Sequence, residues 1–453
     1  MKHRVRKVID QMSLKKLFKP KSLAIIEASA EPDELGHLIL KNIIDGGYKG
    51  EIYPVNPESE EILGLTCCPS IEELPENVEM AVVVTAAQDV PSTMKQCAKK
   101  GIENAVVMSG GFSEVGDEGK DLERELEEII EEFNLHVLGP NCRGINNTVQ
   151  NICASWPLIT KKGPISIISE SGSIGSTLES RASRDNIGIS KFASLGNRID
   201  IDESDLLRYF CKDRKTKVIA LYIEGLKKGR KFLEAAEKAV KKNNVVMLKG
   251  GQSKRGSAAV TSHTNSSGGR YEVFKSVCKR AGILRVDDLD ELYDVCKGIA
   301  NLPKPKEKKT VIITNSGGAG ILTVDAGEKL GLDLIDLPKK SVKRLNEKLP
   351  PGCVLKNPLD LTSNASAEIY DTAIKVLARY KDVRCIVIIV RDSLLGIADV
   401  LKKRFERATI VPVMLEDGNV ESEEKRKLQK AKIPVFSSPK RAMKVLSLLP
   451  IAQ

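Results

Sequence analysis

The chain reads as an α/β protein made of three consecutive doubly wound units. Short β-branched runs alternate with amphipathic helical patterns from Ser22 onward. Such alternation with short loops demands right-handed crossovers between parallel strands. The alternation restarts twice, after the loop 146–162 and after a Pro/Lys-rich stretch at 301–309. Aromatic residues make up only 4%, with a single Trp156, which suits layered Val/Ile/Ala/Gly packing better than a β-sandwich. A length of 453 residues agrees with about three domains.

In order, Ser22–Ile26 is a buried strand and Gly36–Asp45 a helix with Leu38, Leu40, Ile43 and Ile44 apolar. Ala81–Val84 and Ala105–Met108 are further buried strands. Asp117–Phe133 is a helix, because Leu122, Leu126, Ile129 and Phe133 recur at three- or four-residue steps among charges. Leu135–Leu138 closes the first unit. The second runs through strands at Ile165–Ile168, Val218–Ile223 and Val245–Leu248. The third has strands at Thr310–Ile313, Cys385–Val390 and Ile410–Met414 and ends in the apolar Val445–Leu449. The expected division is 1–155, 156–300, a linker at 301–309, and 310–453.

Apolar residues at 41% and charged residues at 29% are ordinary for a soluble globular chain. No apolar run reaches the ~18 residues of a membrane helix, and no secretory signal is legible, so a cytoplasmic protein with no membrane partner is expected. The ten cysteines lack CxxC pairs and read as reduced thiols. The four histidines lack metal-ligand spacing, so no metal site is expected. The net charge of +10 is interleaved with acids and comes without a recognition helix, which argues for anionic small molecules over nucleic acid.

Ligands of parallel sheets sit beyond the carboxyl ends of the strands. In the first unit those ends carry Glu27-Ala28-Ser29, Val55-Asn56-Pro57, Thr85-Ala86, Ser109-Gly110-Gly111 and Gly139-Pro140-Asn141. Small residues and Asn there leave room for a nucleotide-like ligand, although the same residues also make ordinary turns. The second unit opens with Ser169-Glu170-Ser171-Gly172-Ser173, a strand running into a helix start. Such a start suits an anion; a Ser N-cap is the plainer explanation. The stretch 250–269 follows Val245–Leu248, has no bulky apolar residue, and reads as a structureless loop holding His263 between hydroxyl residues. Neutral imidazole attacks phosphorus near pH 7, and an acid must orient the ring. Glu224, at the end of Val218–Ile223, is the candidate; a solvated loop histidine is the alternative.

These strand-end segments, in this order, resemble the α subunits of ADP-forming (NDP-forming) acyl-CoA synthetases, relatives of succinyl-CoA synthetase. The resemblance rests on 18–26, 52–57, Gly111-Phe112-Ser113-Glu114-Val115-Gly116, Gly139-Pro140-Asn141-Cys142, Ser194-Leu195-Gly196-Asn197, Leu221-Tyr222-Ile223-Glu224-Gly225, Thr261-Ser262-His263-Thr264 and Thr314-Asn315-Ser316-Gly317-Gly318. It implies a Rossmann-like CoA-binding domain followed by two flavodoxin-like domains. It implies exchange of acyl-CoA, ADP and phosphate with acid, CoA and ATP through an acyl phosphate and a phosphohistidine. CoA or acyl-CoA would bind along Ser29, Val55, Asn56, Thr85, Ser109 and Asn141. Ser169, Ser171 and Gly172 would hold phosphate, His263 would carry the phosphoryl group, and Glu224 would orient the ring. ADP/ATP with Mg would bind a separate ATP-grasp β subunit, since Thr314–Gly320 lacks a P-loop ending.

Two acids depart from the family pattern. Glu27 stands where glycine is usual after the first strand, and Glu170 stands beside the expected phosphate cradle. Asn265, Ser267 and Gly268 also replace the usual small-residue run after the histidine. The alternative these departures leave open is a CoA-binding or regulatory paralogue of the same fold without turnover.

Overall fold

The computed structural model describes residues 9, 11–264, 270–391, 394–405, 408–415 and 423–452; the side chains of 262–264 lie outside this set. It divides into two compact units. One comprises Met1–Arg184 with Gly188–Asp287, the other Asp185–Ile187 with Asp288–Gln453.

The first unit holds two sheets. β1 (Ser22–Ile26), β2 (Glu51–Val55), β3 (Met80–Val83), β4 (Asn104–Val107) and β5 (His136–Leu138) form an all-parallel sheet in the order β2-β1-β3-β4-β5. β1, β3 and β4 are buried along their whole length. This is why they read as continuous apolar runs and not as alternating patterns. The second sheet contains β6 (Ile145–Asn147), β7 (Ile152–Ala154), β8 (Lys162–Ser169), β9 (Ile189–Ser194), β10 (Val218–Ile223), β11 (Asn244–Lys249) and β12 (Leu284–Val286). Its order is β12-β11-β10-β8-β9-β6-β7, with β6 and β7 as an antiparallel edge hairpin.

Pairing and apolar packing join the two sheets across position 155. The hairpin β6–β7 pairs with β9 of the second sheet. One apolar cluster runs from Leu23 and Ile25 through Ile168, Leu221 and Met247. The helix Leu289–Asn301 belongs to the second unit, where Gly298 packs on Val445 and Lys444 pairs with Glu291 at 3.1 Å.

In that second unit β13 (Thr310–Thr314), β14 (Val354–Leu355), β15 (Leu359–Asp360), β16 (Cys385–Arg391) and β17 (Thr409–Leu415) form a sheet in the order β14-β15-β13-β16-β17. The apolar C-terminal segment is a helix, Pro439–Leu448. Among the described residues no helix is long and apolar enough to cross a membrane.

In the first sheet, and in the parallel part of the second, the strand that comes first in the chain lies between its second and third. The order therefore reverses beside it. The crevice at such a switch point is where doubly wound sheets bind ligands.

Candidate active site

At the first sheet's switch point the chain leaves β1 through Glu27, whose backbone is left-handed (φ 63°). That conformation disfavours side chains with a Cβ, which is the physical reason glycine is usual there. Gly36 opens the next helix so close to this turn that a Cβ on it would lie 2.2 Å from the Glu27 carbonyl oxygen. The Glu27 side chain is exposed. Partial desolvation and the neighbouring acids Asp89 and Glu34 hold its carboxyl above the usual range.

The expected CoA residues do share this rim, but several are already occupied. The Asn56 amide donates to the Ala28 carbonyl (2.7 Å), and its Oδ1 accepts from the Glu58 and Ser59 N–H groups (2.8 and 2.9 Å). It thus ties two strand ends together, and its side chain is not presented to a ligand. The Val55 side chain belongs to the core, and its carbonyl accepts from Ala28 N–H (3.2 Å). Ser29 Oγ accepts from Glu31 N–H (3.0 Å), which makes it part of the turn. Thr85, Ser109 and Asn141 are brought together: Ser109 Oγ donates to the Thr85 carbonyl (2.6 Å), and Asn141 N–H donates to the Ser109 carbonyl (2.8 Å). Thr85 Oγ1 is buried without a partner among the described residues, and Asn141 is exposed with φ 55°.

Asn197, from the segment after β9, locks this rim to the second sheet. Its amide donates to Glu114 Oε2 and Glu123 Oε2 (both 2.7 Å), and its N–H donates to the Pro140 carbonyl (2.9 Å). Burial pushes the Glu114 carboxyl up, but the Asn197 amide and the Gly111 and Phe112 N–H donors outweigh it and hold it below its ordinary value.

The second sheet's switch point lies between β8 and β10. β8 ends in Ser169 and the chain enters the helix Gly172–Arg184. Ser169 is fully buried and its Oγ donates to the Ser171 carbonyl (2.6 Å), so it shapes the turn and does not face an anion. Ser171 Oγ sits at the cap, accepting weakly from Ile174 N–H (3.4 Å) and meeting Ser173 Oγ at 3.1 Å. Ser171, Gly172 and Ser173 are all partly open to solvent. Free N–H groups, the helix dipole and two hydroxyls meet here, as an anion site requires.

Across the switch point stands Glu224, only 6% exposed. Tyr222 donates to its Oε1 (3.2 Å), and Lys249 Nζ donates to its backbone carbonyl (2.9 Å). Burial and the Glu224 charge hold the Tyr222 phenol well above its ordinary range. Burial pulls the Lys249 ammonium down, against the opposing pull of Glu170 and Glu224.

Glu170 does not reach into the cradle. Its carboxylate turns inward, where Arg198 Nη2 donates to Oε1 (2.6 Å) and Glu224 N–H donates to Oε2 (2.6 Å). Arg198 also meets Glu203 (3.2 Å) and the Gly225 carbonyl (2.8 Å). The departure from the family pattern is therefore an internal brace that fixes the Glu224 backbone. Arg198 and Asn197 were missed as functional residues. The visible signal was their place in and just after Ser194-Leu195-Gly196-Asn197, far in sequence from their partners.

The stretch 250–269 is not structureless where it is described: Lys254–Thr264 is a helix. Ser253 Oγ caps it by accepting from Gly256 N–H (3.0 Å), Ala258 and Ala259 favour it, and Val260 is buried under it. The helix lies against Ser113–Val115 of the first sheet's rim. His263 is within this helix, with its side chain outside the described residues; Asn265, Ser267 and Gly268 lie outside them altogether. No cluster of His, Cys, Asp or Glu fit to hold a metal occurs among the described residues.

Comparison with known proteins accounts for the arrangement. Residues 21–148 match the CoA binding domain, 162–299 the succinyl-CoA ligase like flavodoxin domain, and 310–401 the ligase-CoA domain. The acetate–CoA ligase [ADP-forming] I subunit alpha of Pyrococcus furiosus is 36% identical, covering 97% of each chain. The acetate–CoA ligase [ADP-forming] I of Archaeoglobus fulgidus is 35% identical over 96% of this chain, which spans 63% of that longer protein. Among solved structures, the dinucleotide forming acetyl-coenzyme A synthetase 1 of Ca. Korarchaeum cryptofilum, in complex with phosphate and ADP, superposes with a TM-score of 0.88. It is 31% identical, with 96% of each chain covered. The chain belongs to the family of the ADP-forming acetate–CoA ligases and matches their α subunits over nearly its whole length.

Proposed function

We propose that this chain is the α subunit of an ADP-forming acyl-CoA synthetase and carries the phosphoryl group on His263. The observation that supports this most directly is the second sheet's switch point. There an open helix start at Ser171–Gly172 faces Glu224, whose backbone is fixed by Glu170, and the strand beside β10 leads into the helix that bears His263.

In this reading CoA lies on the first sheet's rim, along Thr85, Ser109 and Asn141, with Ser29, Val55 and Asn56 shaping the turn beneath it. A phosphate oxygen attacks the thioester carbonyl, the C–S bond breaks, and CoA leaves as thiolate. The acyl phosphate stays at Ser171–Gly172, where Ser169 holds the turn. A His263 ring nitrogen then attacks phosphorus, the bond to the acyl oxygen breaks, and the free acid departs. Glu224 accepts from the ring's other nitrogen and stabilises the imidazolium. A nucleoside diphosphate oxygen finally takes the phosphoryl group from His263. Positioning and fixed charge supply most of the rate in such transfers.

The nucleotide, with Mg, belongs on an ATP-grasp β subunit in a hetero-oligomer; relatives named as α subunits and longer single-chain relatives both favour this. The test is intact mass and phosphohistidine detection after incubation with acetyl-CoA and phosphate, beside a His263→Asn control. An acid-labile phosphate absent from the control is expected. A folded chain that stays unmodified with a competent partner and several acyl-CoAs would sink the proposal.

A further inference from the structure

Arg143 follows the cis-peptide turn Gly139–Pro140 and crosses the start of the helix Gly172–Arg184. A Cβ built on Gly172 would lie 2.8 Å from Arg143 Cβ and 3.4 Å from its Cδ, so only glycine lets the arginine stem pass. Beyond the stem, Nε donates to the Trp156 carbonyl (2.7 Å), and the guanidinium carbon sits 4.3 Å above the centre of the Trp156 ring. Among the described residues, the hydrogen bonds of Arg143 account for Nε and leave its terminal nitrogens without a protein acceptor. The acid in its field, Glu179, is fully buried, takes its hydrogen bond from Asn146 (3.2 Å), and has its carboxyl pushed well up by burial, toward the neutral form. A second polar group lies beside the same helix start. Ser194 Oγ lies 3.4 Å from the Gly172 Cβ position, on a residue that is 0% exposed, and has no partner among the described residues.

We infer that Arg143 is a phosphate-binding residue of this site, its guanidinium fork gripping the inorganic phosphate that attacks the thioester and the acyl phosphate that results. The inference rests on the ligase reading for the step it serves. Three features support it. A planar guanidinium held at Nε and stacked on an aromatic face keeps its two terminal nitrogens parallel, the geometry that binds two phosphoryl oxygens at once. Stacking also reduces the rotamer entropy lost on binding. The helix N-terminus alone gives a diffuse half-charge, whereas a fixed cation beside it gives a full one.

Trp156 is the only tryptophan in the chain, so its emission reports on Arg143 directly. The test titrates inorganic phosphate into the full chain by calorimetry and by Trp156 fluorescence, for wild type, Arg143→Gln and Arg143→Lys. Expected results are phosphate binding with a change in Trp156 emission in the wild type, at least tenfold weaker binding without that change in R143Q, and intermediate affinity in R143K. With the partner subunit present, R143Q should raise KM for phosphate at least tenfold and leave KM for CoA within twofold. Phosphate affinity in R143Q within twofold of wild type would overturn the inference, as would an effect on KM for the acid in place of phosphate. A wild-type chain that binds no phosphate overturns it too. If circular dichroism shows R143Q unfolded, R143K decides, and wild-type affinity in R143K refutes the fork. A chain that binds phosphate through Arg143 yet never forms phosphohistidine would overturn the ligase reading and leave this one standing.

Discussion

Replacing Arg198 with Met removes the guanidinium that pairs with two buried acids. The side chains of Arg198, Glu170 and Glu203 are each 1–2% exposed, with contacts of 2.6 and 3.2 Å. Breaking a buried pair by deleting one partner costs about 3–5 kcal/mol, because the remaining charge has neither water nor a counter-ion. At roughly 2–4 °C per kcal/mol for a domain of this order of size, the first unit should melt about 6–20 °C lower. The sign with pH follows from the carboxyls. Burial raises both Glu170 and Glu203, and Arg198 opposes the rise. Without Arg198 both rise further. A carboxyl raised in the folded state contributes stability below its unfolded value and loses it as pH climbs through the folded one. The R198M deficit should therefore be larger at pH 8 than at pH 5. Adding Glu170→Gln in the R198M background should recover part of it. Thermal and urea unfolding of the four chains of that cycle at both pH values is the assay. A deficit below about 1 kcal/mol, or one that does not shrink toward acid, would refute the claim that Glu170 is an internal brace.

Other perturbations test the rim and the transfer step. Glu27→Gly relieves about 1–2 kcal/mol of left-handed strain, partly offset by glycine's freedom when unfolded, and removes a carboxylate from the crevice. CoA should bind a few-fold tighter, by on the order of 1 kcal/mol at low salt and less at high salt, in calorimetric titrations; no gain would place that carboxylate away from the ligand. Gly36→Ala drives a methyl to within 2.2 Å of the Glu27 carbonyl oxygen and should cost about 1–3 kcal/mol by urea unfolding; a neutral result would mean that the turn moves freely. Glu224→Gln should leave the melting temperature within a few degrees but slow His263 phosphorylation about 100-fold in rapid-quench experiments, since the imidazolium loses its charged partner. An unchanged rate would remove Glu224 from the mechanism.

The strands were legible because parallel strands covered on both faces are continuous apolar runs, as in Ser22–Ile26, Val218–Ile223 and Cys385–Arg391. The edge hairpin was not, because its strand Ile145–Asn147 is held by buried amides. Asn146 donates to the Ile159 carbonyl (2.9 Å) and Asn147 to the Phe18 carbonyl (2.7 Å), and neither partner is local. The helix Lys254–Thr264 was read as loop because its only bulky apolar anchor is Val260. A cap, two alanines and one buried methyl pair give no periodic stripe to count. Of the rim residues, Thr85, Ser109 and Asn141 lie at strand ends that hydrogen bonds bring together. What position could not reveal is that Asn56, Val55 and Ser169 direct their polar groups into the protein.

Glu170 shows why charge at a strand end cannot be scored from sequence alone. Read locally, a carboxylate beside Ser171–Gly172 opposes the helix dipole and repels any phosphate. Arg198, 28 residues later, reverses that reading because its left-handed backbone (φ 56°) brings the guanidinium under the turn. The ion pair neutralises Glu170 where it stands, and the second carboxylate oxygen then accepts from the Glu224 N–H. The same acid that would spoil an exposed cradle thereby fixes the residue opposite it. Glu27 has no such partner among the described residues of its turn: its neighbours in charge are Asp89 and Glu34, both acids. Of the two departures from the family pattern, one is absorbed by the fold and the other stays exposed beside two further acids. The Glu27→Gly titration therefore discriminates between an active subunit and a non-catalytic relative more sharply than any change at Glu170.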